Sequence, residues 1–592
     1  MFRTIIIFLL VVVAFSTQVK AQSAYTNNRE YYKGLRQRQH NIINELAKQS
    51  WKEGDDYRKR IYLGIVKVYS GIDQEEGVKY LWDAVNDSIH WSFFDLYSFM
   101  EAIYRIGDKL PPEMIAKAKT RIAENFKEDK GFTENHKLQY RTASYLFAQK
   151  WPDGPVFDNG TSPLNAKKEA EEWIYSWINR TLEKGMYEFD SVNYMSLYFL
   201  CFTSLVDFSE DPVMRKKAWK MMQLLIADIA AEYLKGNWTG SHSREKFNQV
   251  NHTIYNCGTA IPFGYLFFGD SEFYADLPET YYVGLAAIQA FRPLSIIADI
   301  ATDRSQPYVH KERKSPRKGL GICTLDIPVM KYDYMSRNFA LGSSYGDISA
   351  VENHRWDLTW HSEKDGSTCF FINPSNSKDR LLEFFDAPPD EIVNAILKQR
   401  PYYDDKDKWI EGSTYEKLFQ HGNTLIALYD IPENEINTHV NGYFSKIIET
   451  RITGKDGWTF CKTDSVYFAI KTFTKGEWIE KSDHYILQLT NIKTGLLFEV
   501  AEQSDYSSFK NFQMQVTGND LYMDLEKMQV IYTNSGGDIL DFNYNGKRSV
   551  NGIAVDPYSW KLFEGPYINT QNRGKTIHIS YNNNNFVLDF SN

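Results

Sequence analysis

The strongest constraint on the fold is a change of hydrophobic period near residue 303. From Asn28 to about Ala301, apolar residues recur at three- and four-residue spacing. "YRKRIYLGIVKVY", "FDLYSFMEAIYRI", "EEWIYSWINRTL", "YMSLYFLCFTSLVDF" and "VMRKKAWKMMQLLIADIAAEYL" are examples. That period buries one stripe of an α-helix. Breakers such as "GDKLPPEM", "WPDGPVFDNGTSP" and "FSEDP" divide the run. Asp211-Pro212 predicts a helix start, with Asp at the cap and Pro in the first turn. The run reads as roughly ten to twelve helices with breaks about every 20–30 residues, the rhythm of helical hairpins stacked into a toroid or solenoid. Beyond the change come short strand-like runs, among them "TCFFINP", "NTLIALYDI", "YFAIKTFT" and "HYILQLTNI", with turn signals "NSGGD" and "YNGK" between them. Regular short strands with Gly/Asn turns predict an antiparallel sandwich. The expected fold class is multidomain α+β: an N-terminal (α/α) toroid over 22–302, a polar basic connector over 303–320 and a C-terminal antiparallel β-sandwich over 321–592.

A 592-residue chain is longer than one hydrophobic core supports, in keeping with that division. Residues 1–21 read as a signal peptide: Arg3, the apolar run "TIIIFLLVVVAF" and small residues before a cut after Ala21. The run is short for a membrane span, and no later stretch is apolar enough to be one. The expected location is therefore secreted or periplasmic. The net charge of −9 disfavours a nucleic-acid partner, so an anionic substrate would need a local basic pocket. Five cysteines at 201, 257, 323, 369 and 461 are odd in number and dispersed, which reads as packing thiols rather than a disulfide framework. Aromatics reach 15%, with 39 Tyr and 14 Trp, a supply that suits both large cores and surfaces that stack on sugar rings.

Four stretches concentrate hydrogen-bonding side chains. "TENHKLQY" (133–140) places Asn135 and His136 at a helix start, where unpaired N–H groups point outward. "MYEFDSVNYMSLYFL" (186–200) crowds Glu188, Asp190, Asn193, Tyr194 and Tyr198 before an apolar helix. "KGNWTGSHSREKFNQVNHTIYNCG" (235–258) carries Trp238, His242 and Arg244, then Asn251 and Tyr255 on one polar helical stripe. Buried polar groups need partners, so such a stripe is costly as filler. The fourth stretch, 332–361, holds Arg337, Glu352, His354 and His361 early in the second domain. His354 and His361, with Asp357 or His421, offer imidazoles for a metal, but their spacing matches no strong zinc motif. No cofactor is expected. The chain lacks P-loop and HExxH signatures.

What recurs is His, Tyr, Asn and Arg. That set suits abstraction of a proton next to a carboxylate, as at C5 of a uronic acid. Asn and Arg neutralise the carboxylate as charge builds, one of His or Tyr takes the proton, and another protonates the leaving oxygen at C4. If a sugar leaves, the reaction is a polysaccharide lyase's. If a hydroxyl leaves a non-reducing end, it is a dehydratase's.

A helical toroid followed by a β-sandwich, with "ENH", "NY" and "HSR" clusters, resembles the heparinase II/III-like toroid polysaccharide lyases. It is also similar to ulvan oligosaccharide dehydratases of marine Bacteroidota. The resemblance implies β-elimination on a uronic-acid-containing oligo- or polysaccharide, ulvan among the candidates, giving a 4,5-unsaturated uronate. It further implies that Asn135 or Asn193 neutralises the carboxylate with Arg244. Tyr194 with His136 or His242 would move protons, and His354 would reach in from the sandwich. Asn251, Tyr255, Arg337 and Trp238 complete the expected substrate contacts. The sandwich-domain zinc site of some of these lyases has no clear copy here. Two rival readings remain: an (α/α)-toroid glycoside hydrolase drawing two carboxylates from Glu134, Glu188, Asp190 and Glu352, and a non-catalytic glycan-binding protein.

Overall fold

Helix starts fall where the local chemistry puts them. Asp211 caps the helix that opens at Pro212, its side chain accepting the Val213 N–H at 2.9 Å. Thr133 caps the helix opening at Glu134 and accepts the His136 N–H at 3.4 Å. The computed structural model describes residues 28–87, 91–127, 133–245, 258, 260–277, 279–315, 328–346, 354–364, 366–384, 389–454, 456–571 and 574–591. The expected leader (1–21), Asn251 and Tyr255 lie outside the described residues. Among the described residues no helix is long and apolar enough to cross a membrane.

The helical part comprises α1 (Asn28–Ala47), α2 (Tyr57–Ser70), α3 (Gln74–Asn86), α4 (Phe93–Ile106), α5 (Pro112–Asn125) and α6 (Glu134–Lys150). It continues with α7 (Pro163–Lys184), α8 (Met195–Phe208), α9 (Pro212–Ala231), α10 (Ala260–Phe267), α11 (Tyr281–Ile288) and α12 (Ser295–Thr302). Helices α2, α4, α6, α8 and α11 touch one another in that order, and α11 returns to α2, closing a ring. The others wrap outside it: α3 lies on α2, α7 on α6, α9 on α8, and α1 on α2 and α11. Sequence pattern separates the two layers. In α8 every residue from Met195 to Leu205 is buried, and so is all of α11. Outer α7 buries one stripe: Ala166, Ala170, Ile174, Trp177 and Ile178. A helix apolar all round belongs inside, and an amphipathic one outside.

The second part is antiparallel throughout its described pairings. A twelve-stranded sheet runs from Gly476–Glu480 at one edge to Asn584–Asp589 at the other, and six- and five-stranded sheets accompany it. The twelve- and six-stranded sheets face each other through pairs such as Trp356–Phe498 and Trp360–Phe468, with ring centroids 5.5 and 5.9 Å apart. Period-2 alternation feeds two cores from one strand. Leu425, Ala427 and Tyr429 point into that sandwich, while Ile426 and Leu428 face a further layer made by the five-stranded sheet and helix Phe509–Gly518. The opposite end of the large sheet, including Ile568, Ile577, Ile579 and Leu588, packs into the helical core against α9 and α12.

One boundary departs from the expectation. Within the presumed connector, Tyr308–Lys314 is a strand that pairs with Val329–Met335 inside the twelve-stranded sheet. Its charged residues read as a solvated linker. In fact His310, Glu312 and Lys314 are buried against the helical domain while Val309, Lys311 and Arg313 face the other way. The described cysteines, 201, 369 and 461, are buried free thiols.

Candidate functional site

The inner helices of the ring start at one mouth. Tyr281 at the start of α11 donates to Asp56, the cap of α2, at 3.2 Å. Arg58 in the first turn of α2 lies 4.8 Å over the ring of Phe94 at the start of α4. Phe93 and Phe94 flank His136 at the start of α6, with centroids 4.0 and 5.5 Å away. Across the mouth, Tyr194 caps the start of α8. Five N-terminal dipoles therefore converge, a field that favours an anion.

Glu188 organises the polar wall between α6 and α8. Its Oε2 accepts from the Asn135 backbone N–H (3.0 Å), the Asn135 side-chain amide (2.9 Å) and the Tyr198 hydroxyl (3.0 Å). Its Oε1 stands 3.7 Å from Arg244 Nε. Arg244 then reaches Tyr194: Nη2 donates to the phenol oxygen at 3.2 Å, and the guanidinium lies 5.1 Å over the ring. Arg244 sits in left-handed backbone, φ 60°, which a residue with a Cβ adopts only where its surroundings hold it. Glu134 stands behind. Its carboxylate takes the Trp177 indole N–H at 3.0 Å, pairs with Arg180, and accepts the N–H groups of Tyr187 and Glu188 at 2.9 and 3.0 Å.

The sheet domain closes the remaining side. His242 and His354 form an antiparallel backbone bridge with N···O distances of 3.2 and 3.0 Å. Ser241 reinforces it by donating to the His354 carbonyl at 2.6 Å. His354 Nε2 lies 3.6 Å from Asp357, whose Oδ1 accepts the Gly240 N–H at 3.2 Å. Glu245 is buried nearby, and burial, with Asp357 adding repulsion, holds its carboxyl far above the usual range.

Contacts thus link Arg244 to Tyr194 directly and to Asn135 through Glu188, with His136 beside Asn135 and His354 joined through the 241–245 segment. Other expected residues take different places. His242 is fully buried, and its Nδ1 and Nε2 face the carbonyls of Asp190 (2.7 Å) and Trp238 (3.2 Å). Burial, then the nearby Lys331 charge, pushes its pKa down to about 3, so it is a neutral buttress rather than a group open to substrate. Trp238 is also buried, its indole bonded to Glu232 at 3.0 Å, and offers no stacking face. Arg337 is exposed at the tip of the 329–345 hairpin, whose turn Glu502 holds through Ser336 and Asn338. It makes no hydrogen bond or ion pair with the mouth among the described residues. Asn193 is buried beside Tyr194, its carbonyl accepting from Ser196 at 3.2 Å. Arg58, Phe93 and Phe94 escaped notice in the sequence, although an Arg or paired aromatics in the first turn of an inner helix is the signal that marks them.

Of the carboxylates offered for hydrolysis, Glu352 lies outside the described residues and the other three are engaged within the chain. Glu134 and Glu188 bind neighbours through both oxygens, and Asp190 bridges Lys314 (2.8 Å) and Lys331 (2.6 Å). The imidazoles offered for a metal do not converge among the described residues: His354 faces Asp357 and His421 faces Asp538 at 3.1 Å. Two other groups have ligand spacing, Asp228–His310–Glu312 and Asp190–Glu232–Glu312. In each a lysine ammonium already supplies the cation. Lys314 pairs with Asp190, Asp228 and Glu312, and Lys331 with Asp190 and Glu232.

No family model matches the sequence, and no curated protein sequence matches it. Among solved structures the chain is similar to a Paenibacillus xanthan lyase, with a TM-score of 0.43 and 9% identity over 89% of this chain. It spans 62% of the length of that lyase. It is also similar to the Streptomyces coelicolor A3 chondroitin AC lyase in complex with chondroitin sulphate, with a TM-score of 0.47, 9% identity and coverage of 89% of this chain and 86% of that one.

Proposed function

We propose that the chain is an exported carbon–oxygen lyase that performs β-elimination on a uronate-bearing oligo- or polysaccharide. One observation carries the reading: Arg244 hydrogen-bonds Tyr194 and lies 3.7 Å from Glu188, whose other oxygen holds Asn135, at a mouth where five helix N-termini meet. Arg244 neutralises the substrate carboxylate as the C5 carbanion develops, with Asn135 bracing the Glu188 carboxylate behind it. Tyr194 and one imidazole, His136 or His354, share the two proton transfers: removal of H5 and protonation of the oxygen leaving C4. The electron pair of the C5–H bond becomes the C4–C5 double bond as the C4–O bond breaks, so neither water nor an oxidant enters. Phe93 and Phe94 supply apolar faces for a sugar ring.

The test is incubation with a panel of uronate oligosaccharides, ulvan fragments included, followed by ultraviolet absorbance of the conjugated double bond and mass spectrometry. Chain fragmentation with new absorbance identifies a lyase, and loss of one water from an intact oligosaccharide a dehydratase. Cleavage without new absorbance would replace elimination by hydrolysis.

A further inference from the structure

A second cavity lies at the seam between the end of α7 and the far end of the twelve-stranded sheet. It encloses about 650 Å³. Pockets of a few hundred Å³ take small ligands. Its charged lining is Arg313, Lys184 and Lys561 against the single carboxylate of Glu183, with Trp560 and Gln571 beside them. Three cations to one anion give this spot a local excess of +2 on a chain whose net charge is −9.

The strand that closes the connector builds it. Tyr308–Lys314 alternates, so His310, Glu312 and Lys314 enter the buried layer under the helices while Arg313 is turned to the opposite face. Every described ion pair in that strand leaves Arg313 out. Its Nε is enclosed without a hydrogen-bond partner, and no described carboxylate lies within 4.0 Å of the guanidinium. Lys561 has only the Asn569 amide oxygen, at 3.2 Å. Trp560 is packed edge-on to Tyr345 at 5.6 Å and takes the Lys311 ammonium at 5.1 Å from its ring, which fixes the indole in place. Two glycines weld the walls together. At Gly185, φ 86°, a Cβ would stand 2.4 Å from the Arg313 carbonyl oxygen. At Gly574, φ 90°, it would stand 1.6 Å from the Leu182 carbonyl oxygen. Helix end and sheet meet backbone to backbone, so the cavity is set before any ligand arrives.

We infer that this cavity is a second saccharide site, separate from the mouth, that holds one or two sugar residues bearing a carboxylate or a sulfate. A planar guanidinium matches either oxyanion with two parallel hydrogen bonds. The Lys561 ammonium adds attraction, the indole offers an apolar edge, and the Gln571 amide serves hydroxyls. Occupancy needs no turnover at the mouth, so the site holds whether or not the chain proves to be an eliminase.

The test is calorimetric titration of the full chain carrying Arg244→Ala, which removes the mouth's own guanidinium. The probes are a glucuronate-containing disaccharide, a sulfated disaccharide, a neutral disaccharide and inorganic sulfate. Either acidic disaccharide is expected to saturate one site, and which one binds tells carboxylate from sulfate. Adding Arg313→Ala is expected to weaken that binding by about 10-fold or more, the scale of a lost charge-assisted hydrogen bond, with an unchanged melting temperature. Lys561→Glu, at an exposed position, is expected to weaken it in the same direction and guards against a folding defect at Arg313. Equal binding in all three proteins would overturn the site, as would equal binding of the neutral disaccharide. Inorganic sulfate binding as tightly as the sulfated sugar would reduce it to an ion site and overturn it too.

Discussion

Arg244 is the residue on which the mouth turns. Its left-handed backbone places one guanidinium against both the Glu188 carboxylate and the Tyr194 phenol, and no rotamer of a lysine reproduces that fork. Tyr194→Phe is expected to leave the melting temperature unchanged and to lower the elimination rate by roughly 100-fold or more, the scale of general acid–base catalysis. Continuous absorbance with a turned-over uronate substrate measures it, and a rate near wild type removes Tyr194 from the mechanism. His242→Ala belongs to a different class. It removes the single N–H that a neutral imidazole can give to one of two enclosed carbonyls, Asp190 O or Trp238 O, and an unsatisfied group of that kind costs about 1–3 kcal/mol. The expected result is a lower melting temperature by scanning calorimetry, with any loss of activity tracking the loss of fold. A stable, inactive His242→Ala protein would return His242 to the reaction.

Two strands and one loop fix how the halves meet. Tyr308–Lys314 and Val329–Met335 send Lys314 and Lys331 into a fully buried layer, where Asp190 of the 186–194 loop binds both. Asp190 stands in left-handed backbone at φ 52°, and the loop that carries Glu188 and Tyr194 is pinned to the sheet as well as to α6 and α8. Lys331→Met leaves Asp190 and Glu232 short of a buried counter-charge, and breaking such a pair from one side costs about 3–5 kcal/mol. The variant should melt well below wild type in scanning calorimetry. A melting temperature within a degree or two of wild type would show that the carboxyls take up protons in its place.

Across the molecule, that layer ties stability to pH. Asp190, Asp228, Glu232, Glu312 and Asp333 share two ammoniums and the neutral His310, whose pKa burial pushes down to about 3. Burial, reinforced by Glu232, raises Glu312 to about 7, and burial raises Asp333 to about 7 against the pull of Lys331. A carboxyl whose folded value lies above its unfolded one stabilises the fold most while protonated. That contribution is complete below about pH 4 and is lost as pH rises through about 7, up to roughly 3 kcal/mol for each group. Asp190 acts oppositely: burial opposes its ionisation, but Lys314 and Lys331 outweigh it and hold the carboxyl at about 2. Its contribution is present above about pH 4 and is lost as pH falls toward 2. Melting temperature should therefore peak in acidic buffer near pH 4 and fall between about pH 4 and 7, and Glu312→Gln with Asp333→Asn should flatten that fall. A flat profile in the wild type would mean that the layer does not titrate with folding.

Much of this was legible before any coordinates. Periodicity separates ring helices from strands, because burial of a helix stripe and of a strand face impose different spacings. Asp211-Pro212 marks a helix start because capping is local chemistry, and "ENH" and "NY" announce polar groups at the starts of two others. What lay beyond the sequence was which charges face solvent. "YVHKERK" reads as a basic linker, yet it is the strand joining both domains, and His242 reads as a proton carrier and Trp238 as a substrate contact while both are buried against the chain's own polar groups. Helix and cap depend on neighbours within a few residues. Whether a charge is buried, paired or open depends on groups more than a hundred positions away, such as Asp190 against Lys314 and Lys331, and only the folded chain brings them together.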